Sequence, residues 1–196
     1  MCLTAPLQGS VKSNWFYADF GLKASAHTVS LKGMCGDKVF YTYDNISKEL
    51  VISGIGNMGD YGEYESPFYE SDIKSVIIQE GVTSIGDYAF KSCSKLESVS
   101  IPKSVITIGR YSFYRCRNLK NLKQPDGVSV IKEHAFDYCS NLENISMSKS
   151  ITSIGAFAFE ECYELRSITI PENVVSIGEC AFNHCQYCKK VSFLIN

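Results

Sequence analysis

The chain has 196 residues, a length that suits one domain, or one domain with an appendage. Apolar residues make up 45% of it, a normal globular share that argues against wholesale disorder, and charged residues make up 20%. The formal charge of -2 and the lack of a long basic run argue against nucleic-acid binding, which requires clustered cations.

Residues 1–34 match no motif and stay unassigned, although they contain the aromatic run Trp15-Phe16-Tyr17. No secretory signal is visible in this part, and no apolar run anywhere is long enough for a membrane span. Further along, Gly54, Gly56 and Gly59 have the spacing of a dinucleotide-binding loop. Such a loop must be followed by a helix, whereas turn-forming residues and a proline follow here. We therefore interpret the glycines as a turn and predict no cofactor.

A 23-residue repeat dominates the remainder of the chain. The motif IGDYAF begins at Ile85, and related hexapeptides begin at Ile108, Ile131, Ile154 and Ile177. One such unit cannot bury its own apolar side, but stacked units align like residues into a continuous core. The other columns are Leu96, Leu119, Leu142 and Leu165; Val99, Leu122, Ile145, Ile168 and Val191; Val82, Val105, Val128, Ile151 and Val174; Phe90, Phe113, Phe136, Phe159 and Phe182; and Cys93, Cys116, Cys139, Cys162 and Cys185.

The pattern inside one repeat predicts its local structure. Residues 98–101 alternate polar and apolar side chains, which is typical of a half-buried strand, and a proline ends it. A second extended segment, 105–108, precedes Gly109. This position is glycine in four of five repeats and Lys132 in the other, so we predict a turn with positive φ. We expect a turn of α-helix or 3₁₀-helix after it, over 111–116.

The segment VTSIGDYAFKSCSKLESVSIP, residues 82–102, closely resembles the BspA-like leucine-rich repeat family, a surface-antigen type with 23-residue repeats. The resemblance implies a leucine-rich repeat solenoid over 73–196, with five full repeats and a partial sixth. One parallel β-strand per coil stacks on the next, and short 3₁₀, helical or extended segments lie on the other side. It also implies a small N-terminal cap over 35–72, in which Val39–Tyr43 and Leu50–Ile52 form a β-hairpin.

The cysteines call for a structural interpretation. In a stacked column their Cβ atoms point the same way, so we interpret the repeated cysteines as buried free thiols that act as small apolar residues. Cys180, His184, Cys185 and Cys188 are four potential metal ligands within nine residues. The second half of a zinc motif is missing, so we predict no metal, with free thiols, a local disulfide or a bound ion as the alternatives.

No catalytic constellation stands out from the repeat. The chain lacks the G-x-S-x-G and H-E-x-x-H motifs and any carboxylate pair set apart from the columns. His134 lies in a column that is otherwise aromatic or cysteine, which indicates a packing role. We therefore predict that the protein is not an enzyme.

Solenoids bind partners through extended faces whose side chains do not pack. The outward positions of the strand layer are small and mostly uncharged, and they form the candidate protein-binding face. Without aromatic anchors, this pattern fits either a solvated surface or a broad, low-affinity contact surface. The positions are Ser75, Ile77, Ser98, Ser100, Asn121, Lys123, Asn144, Ser146, Ser167, Thr169, Lys190 and Ser192.

The resemblance implies a non-enzymatic protein-binding module of cell-surface or secreted adhesin type, which contacts host or matrix proteins. The alternative is an intracellular interaction scaffold with the same solenoid, which the lack of a visible signal and the unpaired-looking thiols favour. The last residues, VSFLIN, form an apolar strand with an open edge. Such an edge predicts self-association, or a shortened member of a longer family.

Overall fold

The computed structural model describes residues 30–123 and 126–193, and the aromatic run at 15–17 lies outside them. These residues form fifteen strands and no helix; hence none of them lies in a helix that could cross a membrane. In chain order the strands are β1 Ser30–Met34, β2 Val39–Asp44, β3 Glu49–Gly54, β4 Gly56–Asn57, β5 Ser75–Ile78, β6 Val82–Ile85, β7 Ser98–Ser100, β8 Thr107–Ile108, β9 Asn121–Lys123, β10 Val130–Ile131, β11 Asn144–Ser146, β12 Ser153–Ile154, β13 Ser167–Ile170, β14 Ser176–Ile177 and β15 Lys190–Phe193.

An antiparallel meander of β1, β2 and β3 precedes the array, and its first strand lies upstream of residue 35, where the predicted cap begins. The hairpin of β2 and β3 is the one that the family resemblance implies. Strand β3 then pairs in parallel with β5, the first strand of the array. The meander therefore covers the backbone edge that the first coil would otherwise expose.

Two sheets run along the array, and the strands of the array pair in parallel within each. The first has the order β1-β2-β3-β5-β7-β9-β11, and β13 pairs with β15 in a separate parallel pair. The second has the order β14-β12-β10-β8-β6-β4. From β5 and β6 onward the paired residues are 23 apart, as Val76 with Val99 and Ile131 with Ile154 show. This register confirms the predicted solenoid of stacked coils.

The core consists of the repeated columns. Phe90, Phe113, Phe136 and Phe159 are fully buried, and each ring is stacked on its neighbour with centroids 5.1–5.2 Å apart. Phe68 begins the same stack, 5.3 Å from Phe90. The column analysis missed it because it lies 22 residues upstream, one short of the period.

In each coil, the segment that follows the strand of the second sheet is a series of turns. The helical turn predicted over 111–116 is therefore wrong. Tyr111 and Arg115 have φ values of 51° and 60°, which a right-handed helix does not allow. Tyr111 N donates to Glu133 O at 3.1 Å and Phe113 N to Ala135 O at 2.8 Å. These amides bond to the next coil instead of to their own, and they add a third line of hydrogen bonds along the solenoid.

The repeated glycine is explained by close packing, and the predicted positive φ at Gly109 is wrong. Positive φ occurs two residues later, at Tyr111, and again in the same column at His134. A Cβ on Gly109 would lie 2.6 Å from the carbonyl carbon of Gly86 in the preceding coil. Glycine therefore occupies this position because the backbones of two coils meet there.

Candidate protein-binding face

The strand layer alternates between buried and exposed side chains. Val99 in β7 packs on the core, while Ser98 and Ser100 on either side of it are exposed. Strand β13 repeats the alternation over four residues, with Ile168 and Ile170 buried. The side chains on one side of the sheet pack in the core, and those on the other side are exposed or half-buried and take no part in packing.

The predicted face residues are brought into register by the parallel pairing. Ser75 lies opposite Ser98, Ser98 opposite Asn121, and Asn121 opposite Asn144. Asn144 Nδ2 donates to Asn121 Oδ1 at 3.2 Å, a side-chain hydrogen bond between two neighbouring coils. Further along, Thr169 lies opposite Ser192 and Ser167 opposite Lys190. Exposed members of the face are Ile77, Ser98, Ser100, Asn121, Asn144, Ser146, Ser167, Thr169 and Lys190, and half-buried members are Ser75 and Ser192.

Lys123 is placed by its backbone, which pairs with Ser146; its side chain lies outside the described part of the chain. The face thus presents rows of hydroxyl and amide groups, with Ile77 as an exposed apolar side chain in β5. Short side chains of this kind offer hydrogen bonds at little cost in rotamer entropy. Such a surface can contact another protein over a wide area without a single dominant anchor.

The turns that follow the second-sheet strands form a further surface of the solenoid, the turn side. It carries an aromatic and cationic patch that the sequence analysis missed. Tyr64 is 64% exposed, and the Lys91 ammonium lies 4.4 Å from its ring centroid. The Arg115 guanidinium lies 5.0 Å from the Tyr114 ring and 5.6 Å from that of Tyr138. Tyrosine and arginine are enriched at tight interfaces. The tyrosines and the arginine are visible in the sequence, but the columns of Tyr114 and Tyr138 hold no repeated residue type and so gave no signal.

The glycine motif has the structure of a turn, as predicted. Gly54 ends β3 and Gly56 begins β4, with φ values of 117° and 108°. The residues that follow, up to β5, form turns in this structure instead of the helix that a dinucleotide site requires.

The repeated cysteines are buried except for the half-buried Cys185, and every cysteine within the described ranges is free. The Cys116 thiol donates to Phe90 O at 3.2 Å, and the Cys139 thiol donates to Phe113 O at 3.3 Å. Burial raises the pKa of Cys93 to about 12, because the thiolate would lose its hydration. The column therefore consists of protonated, hydrogen-bonded core residues.

The C-terminal group of potential metal ligands is spread out. Cys180 is exposed, the half-buried Cys185 donates to Phe159 O at 3.3 Å, and the Cys188 thiol lies 3.7 Å from Lys190 O. Within the described residues, His184 and these cysteines do not converge on one point.

His134 packs within its column, as predicted. Its ring is stacked between Tyr111 and Phe157, with centroid distances of 4.4 Å and 4.7 Å. Its Nδ1 also lies 2.8 Å from Asp137 Oδ2, a contact that the column analysis did not predict.

The comparisons with known proteins agree with this architecture. Residues 64–189, 126 of the 196, match the model of the BspA type leucine rich repeat region in six copies. The chain belongs to the BspA-type leucine-rich repeat family. Repeats of this family generally serve as protein-interaction modules.

Two solved structures show the same fold. The leucine-rich repeat protein TpLRR of T. pallidum is 23% identical, with a TM-score of 0.65 over 78% of each chain. The pneumococcal vaccine antigen PcpA is 21% identical, with a TM-score of 0.51 over 79% of this BspA-type chain and 46% of its own. A search of the curated proteins found no match.

Proposed function

We propose that this BspA-type protein is a non-enzymatic binding module of adhesin type at the cell surface, where it contacts host or matrix proteins through the strand face. The observation that carries the proposal is the register of exposed serine and asparagine side chains along the first sheet, together with Ser167 and Thr169 in the separate β13–β15 pair. These residues do not pack in the core, so the fold leaves them available for a partner. The family and the antigen among the structural neighbours support the surface role.

The expected mode of binding is broad and weak per residue. Interfaces without buried aromatic anchors depend on many modest contacts, and their affinity comes from shape and summed hydrogen bonds. The parallel pairing holds the face rigid within each group, because β5, β7, β9 and β11 are bonded in series and β13 is bonded to β15. Little conformational entropy is then lost when a partner docks on it.

Binding of the full chain to a panel of purified extracellular-matrix proteins tests the face. Surface plasmon resonance would compare the wild type with a Ser100→Arg/Thr169→Arg double variant, in which two exposed face residues become long and charged. Val175→Arg is the matched control, since Val175 is 87% exposed and directly precedes β14 of the second sheet. We expect the double variant to lose binding to a partner that the control still binds.

A turn-side variant, Arg115→Ala, makes this test discriminating. If it abolished binding while the face variant bound normally, the strand face would be wrong and the aromatic and cationic patch would be the binding surface. If no matrix protein bound the wild type, the adhesin role itself would be contradicted.

Labelling of intact cells with a membrane-impermeant biotin reagent tests the location. We expect this protein to be labelled together with known surface proteins and cytoplasmic controls to be unlabelled. The alternative, an intracellular interaction scaffold, is favoured by the exposed free thiol of Cys180, since such thiols persist best in a reducing compartment. Labelling only after cell lysis would support that alternative and remove the adhesin role.

A further inference from the structure

One column of the repeat places two carboxylates directly on top of each other. Its members at 23-residue steps are Lys91, Tyr114, Asp137, Glu160 and Asn183. The coils that carry the two acids are bonded together, with Tyr138 N donating to Glu160 O at 2.9 Å. Like charges at facing positions of adjacent strands are destabilising, and burial increases that cost. A positive group between them would relieve it.

The carboxylates of Asp137 and Glu160 lie close to the imidazole of His134. Asp137 is only 2% exposed, and its Oδ2 lies 2.8 Å from His134 Nδ1. One ligand atom each from His134, Asp137 and Glu160 lies within 4.8 Å of the other two. His134 and Asp137 come from the third repeat and Glu160 from the fourth, so the cluster bridges two coils.

The second oxygen of Asp137 has no partner. Among the residues that the structure describes, none donates a hydrogen bond to Asp137 Oδ1, which is buried. Buried carboxylate oxygens are almost always satisfied, so an orphan oxygen beside two other ligand groups points to a missing positive partner. Burial raises the pKa of Asp137 to about 6, because its charged form is desolvated, and the contact with His134 opposes that effect.

Nearby side-chain cations are already paired with other groups. Lys132 Nζ lies 3.1 Å from Asp87 Oδ1, and Arg110 Nη2 lies 3.1 Å from Glu133 Oε2. In both pairs, the positive charge is balanced by a carboxylate that does not belong to the cluster. The charge that Asp137 and Glu160 require is therefore best supplied by a ligand.

We propose that His134, Asp137 and Glu160 bind a divalent transition-metal ion of the Zn²⁺ class, which bridges the third and fourth repeats. One imidazole nitrogen and two carboxylate oxygens are a donor set that Zn²⁺ and its first-row neighbours accept, at about 2.0–2.2 Å per bond. Ca²⁺ and Mg²⁺ fit less well, because they prefer oxygen ligands alone. His134 binds through one nitrogen of the neutral imidazole: a proton on that nitrogen is released to solvent when the ion binds, and the other ring nitrogen keeps its own.

The surroundings hold the ligands in position. The His134 ring is fixed by the Tyr111 and Phe157 rings on its two faces. Asn183 Nδ2 donates to Glu160 Oε1 at 2.8 Å, which orients that carboxylate from the fifth repeat. Such outer contacts commonly align metal ligands and strengthen binding. The ion would stabilise the stacking of neighbouring coils.

Isothermal titration of the full chain with Zn²⁺, after treatment with a chelator, tests the proposal. Cys180→Ser/Cys188→Ser serves as the background, because these two thiols near the C-terminus could bind the same ion, whereas the Cys185 thiol is bonded to Phe159 O. We expect one ion per chain and a higher melting temperature in its presence. His134→Phe retains the ring stack and Asp137→Asn retains the side-chain shape, so both should fold, as circular dichroism would verify. Each should weaken binding by about tenfold or more.

Two further measurements identify the ligands. Glu160→Gln should weaken binding in the same way, whereas the control Glu133→Gln should not, although Glu133 Oε1 lies 3.8 Å from His134 Nε2. The absorption spectrum of bound Co²⁺ should show ligand-field bands without a thiolate charge-transfer band. The proposal is overturned if Zn²⁺ gives no saturable binding, if the ligand variants bind as tightly as their background, or if thiolate bands dominate the Co²⁺ spectrum.

Discussion

The rings of Phe113 and Phe136, 23 residues apart in the chain, lie nearly parallel, with centroids 5.1 Å apart and planes inclined by 4°. Both side chains are fully buried. Each ring therefore has an aromatic neighbour in the coil above and in the coil below, and the stack runs through the whole described array. Aromatic pairs add to the free energy of burial in this geometry.

Replacement of Phe136 by alanine should lower the free energy of unfolding by about 3–5 kcal/mol, because it removes a fully buried ring and leaves a cavity. Urea denaturation followed by circular dichroism measures the loss. Ser100→Ala is the control, and it should change stability by less than about 0.5 kcal/mol, because its side chain is exposed. Similar losses for the two variants would show that the inside and outside of the coil have been assigned wrongly.

Gly109→Ala should destabilise the fold by about 1–3 kcal/mol, as overpacking does, because the new Cβ would lie 2.6 Å from the Gly86 backbone. Gly59→Ala is the matched control, since the nearest atom to its Cβ would be Cys35 O at 3.5 Å, an ordinary contact. Thermal denaturation compares the two. An equal and small effect of both substitutions would contradict the close approach of neighbouring coils at Gly109.

The buried thiols should react slowly with iodoacetamide in the native protein. Burial raises the pKa values of Cys93, Cys116, Cys139 and Cys162 well above that of a free thiol, and the thiolate is the reactive form. The exposed Cys180 should be alkylated first. Mass spectrometry of peptides after timed labelling measures the order, with urea-unfolded protein as the control in which all the thiols react. Labelling of Cys139 as fast as Cys180 would refute the buried column.

Glu63→Gln should lower stability at neutral pH, because Lys91 is only 7% exposed in its side chain and its ammonium lies 2.5 Å from Glu63 Oε1. The hydrogen bond from Lys91 lowers the pKa of Glu63. A lowered pKa means that the stabilisation is present above the unfolded-state value, about pH 4.3, and is lost on further acidification.

The difference in melting temperature between the wild type and Glu63→Gln should therefore shrink as the pH falls from 7 towards 3. Glu97→Gln, at an exposed glutamate that forms no ion pair within the described residues, serves as the control and should change little at any pH. A constant difference across this range would mean that the charge of Glu63 does not stabilise Lys91.

The architecture was predictable because the repeat imposes the same chemistry at every twenty-third residue. Phe113 and Phe136 could be assigned to the core without coordinates, since a column of identical apolar residues must face the same environment in every coil. The alternation of Ser98, Val99 and Ser100 likewise indicated which side of the strand is exposed. The exposed side of the strand could therefore be inferred from the alternation alone, whereas the protein-binding face stays a prediction.

The departures from prediction have physical causes that lie between coils. Gly109 appeared to need a positive φ, but only the approach of the Gly86 backbone explains the glycine. The metal-binding cluster was missed because Asp137 and Glu160 lie in a column with no repeated residue type. Two adjacent carboxylates in one column were a readable signal, although their meaning depended on His134.

By itself, the sequence determined the 23-residue period, the identity of the core columns and the membership of the BspA-type family, because each is carried by residues that recur. The tertiary structure alone decided where the backbone turns left-handed, which amides bond to the next coil, and that an imidazole and two carboxylates from different coils meet. Those features depend on the distance between neighbouring coils, and a one-dimensional pattern does not contain that distance.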